Sequence, residues 1–402
     1  MRKYYKYAIL SEIPYSYLKQ RHQIFSDIIA TRDKVLYIQT FYYNSLSLAS
    51  FLRILWRRVL VASPLSRYQG ASNTVNRSSN IDIINLFAFP RIRLFPIYLL
   101  NPLLLWFQFR LVHRISVNFS LFYSPTYYSY LVLNYLNSKF IAWDNVHDYS
   151  AHPSYPIDLL RRDLTWLLPI TDFYLCDNPI NYRNLPAVDT YIKSFTVIDR
   201  VVSTTYLNKT RDLLLDNYCS WQHNLTQRIN TSDPLKMIYF GNIRSDLDFQ
   251  LLRRLSREFD IDFYGKISEC PSFFSDYLYS KFKGFVPESE LPDLLSFYDI
   301  IVLPYSNKTY SSNIVPAKIM QCILSGKVVL CSGFSIPPSL SDIKNLFYLN
   351  DQASLSDIFT MIESYSCMKL SPDYFLSLFS SQDPVDLHEL IWGKASSVPL
   401  IM

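Results

Sequence analysis

A series of short, continuous apolar runs constrains this chain more than any other feature. Each is bounded by polar or turn residues and separated from the next by a longer stretch of helical period. The runs fall at 34–40, 81–89, 115–123, 140–143, 173–176 and 195–198, then again at 237–240, 261–264, 300–304 and 328–331. A strand that is apolar at every position, rather than at alternate ones, is covered on both faces, which implies a parallel sheet between helices. The pattern predicts a doubly wound α/β architecture, and predicts it twice. Between the two series, residues 201–234 read as polar and helix-like and end in Asn230, Thr231, Ser232, Asp233 and Pro234. They are expected to be a connector between an N-terminal Rossmann-like domain over 1–200 and a C-terminal one over 235–402. The last helices of the chain could pack back on the first domain. Two such domains would face each other across a cleft, with ligands at the carboxyl ends of their strands.

Composition removes several classes. At 402 residues and 49% hydrophobic, the chain can bury more than one core. No stretch reaches the roughly 18–20 apolar residues of a membrane span. The nearest, 97–107, is broken by Asn101 and Pro102. The apolar part of the first ten residues is too short for a signal peptide, so a cytoplasmic location is expected. Cys176, Cys219, Cys270, Cys322, Cys331 and Cys367 form no Cys-x-x-Cys pair, and the six histidines lack zinc-site spacing. Zinc ribbons, disulfide frameworks and zincins are excluded on that ground. Five of the seven glycines lie between 241 and 333, and neither Gly-x-Gly-x-x-Gly nor Walker A occurs.

The most informative segment begins with the apolar run 300–304 and Tyr305. It continues through a hydroxyl-rich loop containing Ser311, Ser312 and Asn313, then Pro316, Lys318, Gln321 and Gly326. Pro316 is expected to open a helix, with Lys318 in its first turn and Gln321 on the same face. The free N–H groups and partial positive charge of a helix start can hold a diphosphate, with Ser311 and Ser312 as further donors and Lys318 as a counter-charge. An ordinary strand–loop–helix with a surface lysine fits the spacing equally well.

Here the sequence resembles the GT-B glycosyltransferases of exopolysaccharide and teichuronic-acid type. The likeness rests on the Pro-x-Lys-x-x-Gln segment ending in Gly326, Lys327, Val328 and Val329. It rests also on the run 237–243 followed by Asp248, on Asp262 to Gly265, and on Lys283 to Pro287 ahead of Glu290, Leu291 and Pro292, all in the family's order. The resemblance covers 10–45, 120–180 and 236–333 and implies a GT-B fold, a nucleotide-sugar substrate in the second domain, and no cofactor or metal. It places Gly241 and Arg244 beside the donor diphosphate, Phe285 and Val286 at the base, and Tyr305 at a strand end facing the donor. Many retaining members carry two glutamates where this chain has Asn313 and Gln321. The amides keep hydrogen-bonding capacity without the charge. Lys-x-x-Gln is similar to the inverting xanthan-type glucuronosyltransferase branch.

In the first half, the apolar run 140–143 empties into a loop with Asp144, His147, Asp148 and His152. Carboxylates and imidazoles at such a strand end suit the deprotonation of an acceptor hydroxyl. The loop also resembles the family's Asp-rich acceptor loop. Asp148 or Asp144 is the expected base and His147 its neighbour; helix capping by the same residues is the plainer alternative.

Residues 51–115 carry nine arginines, no lysine and one acid, Asp82, interleaved with aromatic and aliphatic residues. Such a segment suits an anionic membrane surface or a lipid-diphosphate acceptor, or a core helix with a solvated face. Nucleic acid is not an expected partner, because no nucleic-acid-binding motif accompanies the charge. The expectation is a glycosyltransferase of hexosyltransferase class, metal-independent, at the inner face of the cytoplasmic membrane, acting on a lipid-linked saccharide in surface polysaccharide biosynthesis. The alternatives are an inactive GT-B-like partner subunit and a nucleotide-sugar 2-epimerase.

Overall fold

The computed structural model describes residues 3–15, 20–41, 80–88, 99–111, 115–147, 149, 157–178, 181, 185, 194–198, 201–231, 233–307, 314–350 and 352–379. The chain divides into two compact units, Met1–Ile198 and Asp199–Asp383. In the first, β1 (Lys3–Ser11), β2 (Val35–Phe41), β3 (Ile81–Phe87), β4 (Ile115–Phe122), β5 (Phe140–Asn145), β6 (Phe173–Cys176) and β7 (Ser194–Val197) form one sheet. Its order is β3, β2, β1, β4, β5, β6, β7. In the second unit, β8 (Lys236–Ile243), β9 (Asp260–Ile267), β10 (Phe282–Gly284), β11 (Ile300–Pro304), β12 (Val328–Ser332) and β13 (Leu346–Tyr348) are ordered β10, β9, β8, β11, β12, β13. Every pairing between these strands is parallel.

Each sheet grows outward in both directions from its first strand. The order reverses between β1 and β4, and between β8 and β11, and at such a reversal the flanking loops part to leave a crevice at the carboxyl end. The apolar runs became strands because both faces are covered: all five residues of β11 and of β12 are buried, as are Val35, Leu36, Tyr37 and Ile38 in β2. The helix Arg21–Ala30 makes the crossover from β1 to β2. Tyr127–Leu136 links β4 to β5; Thr126 caps its start, and Asn137 ends it in the left-handed conformation.

Residues 201–234 are not a polar connector. They form the long helix Thr204–Thr231, which buries Tyr206, Leu214, Tyr218 and Leu225 in the second unit's core. The spacing of those four puts them on one face, while the polar residues that suggested a linker line the other. Arg228 on this helix pairs with Asp299 at 2.7 Å. The helices Leu355–Ser366 and Pro372–Ser377 also pack on the second core, through Ile358, Ile362, Tyr365 and Phe375. The expected return of the last helices to the first domain concerns residues 380–402, outside the described residues. Among the described residues, no helix is long and apolar enough to cross a membrane.

Candidate functional site

The second unit's reversal point is built from the loops after β8 and β11, which are tied to each other. Asp248 N donates to Pro304 O at 2.7 Å, Ser306 N to Asp246 O at 2.8 Å, and Leu247 bridges Tyr305. Gly241 lies near the end of β8 with φ +128°, opposite Gly265 on β9 with φ +133°. A Cβ on Gly265 would stand 2.0 Å from Gly241 O, and one on Gly241 would stand 2.8 Å from Lys318 Nζ. The absence of side chains is what lets the lysine approach the strand end.

Lys318 is half-buried, and its ammonium donates to Phe240 O. It lies 3.9 Å from the centroid of the Tyr239 ring and 5.7 Å from that of Tyr305. Burial pushes its pKa down to about 7, with Asp246 and Cys322 opposing the shift only in part. No described carboxylate pairs with it. Arg244, by contrast, is held by Asp246 at 2.7 Å, which keeps its guanidinium above the ordinary range. The helix starts later than expected: it spans Ile319–Leu324, with Lys318 at the N-cap. Residues 316–319 form a turn instead, closed by Ile319 N donating to Pro316 O. The helix is six residues long, so Lys318 contributes its own charge from a position just ahead of the first helical turn.

Gln321 does not share Lys318's partners. Its amide nitrogen donates to Glu288 Oε1 at 3.0 Å, and the same oxygen accepts from Ser203 Oγ at 3.0 Å. Glu288 was not anticipated; it lies in the turn after β10 and supplies a carboxylate where the sequence offered only an amide. Phe285, in the same loop, is 58% exposed, so it is not a core residue, and Val286 beside it is half-buried. Tyr305 stands edge-on to Phe334 at 5.9 Å. Ser311, Ser312 and Asn313 lie outside the described residues.

At the first unit's reversal point, Arg21 forks onto Asp144, with Nε to Oδ2 at 2.7 Å and Nη2 to Oδ1 at 3.0 Å; its third nitrogen donates to Ile198 O. Asp144 is 0% exposed. The expectation that it takes a proton from an acceptor is corrected: it is enclosed and clamped, a fixed charge that holds Arg21. Nearby Asp177 is also buried. Burial drives its pKa up to about 7 and Asp144 adds to the rise, against the opposing pull of Arg21. His22 bonds Ser11 Oγ through Nδ1 at 2.7 Å and stacks on Tyr123 at 3.6 Å. Burial, then the nearby His147 and Arg21, hold His22 well below the usual imidazole range, so it is neutral. His147 is half-buried, with its ring edge-on to Tyr149 at 5.7 Å. Asp148 and His152 lie outside the described residues.

Two all-parallel sheets, each reversing at its first strand, make this chain similar to solved structures over nearly its whole length. The HepE protein of Anabaena, solved with UDP and glucose, aligns over 98% of this chain and 100% of its own at a TM-score of 0.57 and 12% identity. Sucrose-phosphate synthase of Thermosynechococcus elongatus aligns over 98% and 100% at a TM-score of 0.59 and 11% identity. The UDP-forming α,α-trehalose-phosphate synthase of Burkholderia vietnamiensis aligns over 99% and 99% at 0.56 and 9%. The fold is that of the GT-B glycosyltransferases. No family model and no curated protein matches the sequence.

Gly241, Arg244, Tyr305 and Lys318 gather where β8 and β11 end. Gln321 joins them only through Glu288. Arg21, His22, Asp177 and Glu288 were missed. Arg21 and His22 begin one helix, and Asp177 follows a strand more than 150 residues later, so nothing in the local sequence marks them as neighbours.

Proposed function

We propose that the chain is a glycosyltransferase that moves a sugar from a nucleotide-sugar donor to a hydroxyl of a saccharide acceptor. The supporting observation is Lys318: a cation at the reversal point of the second sheet, depressed by burial and without a described carboxylate partner. A diphosphate there would supply the missing counter-charge and draw a proton onto the amine. The HepE protein was solved with UDP and glucose and with UDP-glucose, which supports the same ligand class. In this reading Lys318 and Arg244 stabilise the charge that develops on the departing nucleoside diphosphate. Gly241 gives the diphosphate room, and Ser311, Ser312 and Asn313 are the further hydrogen-bonding residues that the sequence offers it. Phe285 and Val286 offer an apolar face to the base, and the amide of Gln321, oriented by Glu288, reaches the ribose hydroxyls.

For the acceptor, His147 and Asp148 remain the proton-accepting candidates that the sequence offers, and Asp144 holds Arg21. The finer reading follows the sequence: a lipid-linked saccharide acceptor, a role in surface polysaccharide synthesis, and diphosphate charge met by lysine and arginine rather than by a metal.

Calorimetry with nucleoside diphosphates tests the donor half. Charged hydrogen bonds are worth about 1.5–3 kcal/mol, so Lys318→Ala should weaken binding about ten- to a hundredfold. Wild-type binding near neutral pH should be accompanied by proton uptake, visible as a dependence on buffer ionisation enthalpy, and the variant should lose it. Equal affinity in the two proteins would remove Lys318 from the site.

A further inference from the structure

The amino-terminal ends of β11 and β12 carry a second polar group, at the opposite end of the second sheet from Lys318. A cavity of about 60 Å³ lies there between the long helix Thr204–Thr231, the helix Leu291–Ser296 and the turn from Ser325 to Lys327. One water needs roughly 10–15 Å³, so the space admits several waters or a small organic molecule. Leu213, Leu214 and Leu295 give it apolar walls. Lys327 and Trp221 bring polar atoms to it. Lys327 is 5% exposed; its ammonium lies 4.1 Å from the centroid of the Trp221 ring and donates to Ser296 O at 3.2 Å. No described carboxylate forms an ion pair with it. Asp299, the acid that acts on it, is taken by Arg228 at 2.7 Å and by Lys236 N at 2.9 Å. Asp293, on the neighbouring helix, is paired with Lys209. The indole Nε1 of Trp221 is buried and meets no acceptor among the described residues.

An ammonium carries three N–H donors and an indole one. The protein offers these four a single oxygen, Ser296 O, and the face of the Trp221 ring. Buried donors left unpaired are costly, so the arrangement asks for an acceptor from outside. We propose that the cavity binds a short-chain organic carboxylate, its oxygens accepting from Lys327 Nζ and Trp221 Nε1 and its hydrocarbon lying against Leu213, Leu214 and Leu295. Water would satisfy the indole, but it brings no counter-charge and would wet apolar walls. Chloride brings the charge and leaves the same walls uncovered, and a phosphate sets two charges against one cation. Bound there, the carboxylate ties the long helix to the turn that leads into β12. Burial pushes the Lys327 pKa down to about 7, with Asp299 raising it and Arg228 lowering it, and an arriving carboxylate draws a proton onto the amine. The site is independent of the donor reading, since none of its residues belongs to the group around Lys318.

Calorimetry on the full-length chain with sodium butyrate, against butyramide and sodium chloride at equal ionic strength, is the test. Butyrate should saturate one site per chain in about the millimolar range, with proton uptake near pH 7, and neither control should saturate. Lys327→Met should weaken butyrate binding at least about tenfold and abolish the proton uptake. Trp221→Phe keeps a ring and removes the N–H, and it should weaken binding about three- to tenfold. Lys318→Ala should bind butyrate as wild type does, and all three variants should match wild type in circular dichroism. The proposal is overturned if butyrate does not saturate, if butyramide or chloride binds equally well, or if Lys318→Ala rather than Lys327→Met loses the binding. Should Lys327→Met fail to fold, Trp221→Phe decides alone: wild-type affinity for butyrate in that variant overturns the site.

Discussion

Three ionisable side chains shifted by burial, Asp177, Lys318 and Lys327, shape the pH response of this chain. Asp177, with a pKa of about 7, keeps a proton in the folded state that the unfolded chain releases at lower pH, so its contribution to stability falls as pH rises from the ordinary carboxylate range to about 7. Lys318 and Lys327 are both pushed down to about 7, chiefly by burial. Above that pH the unfolded chain holds protons that the folded chain has lost, so their contribution rises with pH toward the ordinary lysine range. Together the three place a minimum near neutrality. In denaturant titrations, Asp177→Asn should gain on wild type between about pH 4 and about pH 7 and hold a constant difference above that. A parallel offset at every pH would contradict the assignment. Gly241→Ala acts differently, because a Cβ at φ +128° is strained and displaces the Lys318 ammonium. It should cost about 1–3 kcal/mol in urea unfolding and weaken nucleoside diphosphate binding as Lys318→Ala does.

At the scale of elements, the long helix Thr204–Thr231 is held by polar contacts as well as by apolar burial. Tyr218 on the helix meets the hydroxyl of buried Tyr365 at 3.1 Å, and Tyr365 donates to Gly326 O at 2.6 Å. Lys327 packs over the Trp221 ring at 4.1 Å and donates to Ser296 O at 3.2 Å. Tyr365→Phe leaves Gly326 O unpaired inside the core, and thermal unfolding should show a loss of about 1–3 kcal/mol. The sequence reveals strands such as β11 and β12 well, because burial on both faces writes itself as unbroken apolarity. It hides β1, where Lys3, Tyr4 and Lys6 interrupt the run although Tyr5 and Tyr7 to Leu10 are buried. It also hides the three-residue edge strands β10 and β13, and it disguises the long helix, most of whose residues are polar. The proximity of Gly241, Tyr305 and Lys318 was legible because the segments that carry them resemble an ordered set of motifs. The Arg21, Asp144 and Asp177 cluster was not, because it is made by folding alone: Arg21 and Asp144 are 123 residues apart.

For the whole molecule, each unit has a hydrophobic core of its own, so ligand effects should be attributable to one or the other. Hydrogen exchange with a nucleoside diphosphate present should slow most at residues 239–248, 304–306 and 316–324; protection confined to β1–β7 would contradict a donor site in the second unit. The all-parallel pairing of both sheets also bears on how the chain reaches this state. No described pair of neighbouring strands is joined by a tight hairpin, so each register is set only after a long crossover has closed. Contacts of that kind make folding slow and leave unpaired strand edges open to self-association in the meantime. Yield of active protein should therefore depend on synthesis rate and temperature more than the stability of the finished fold would suggest.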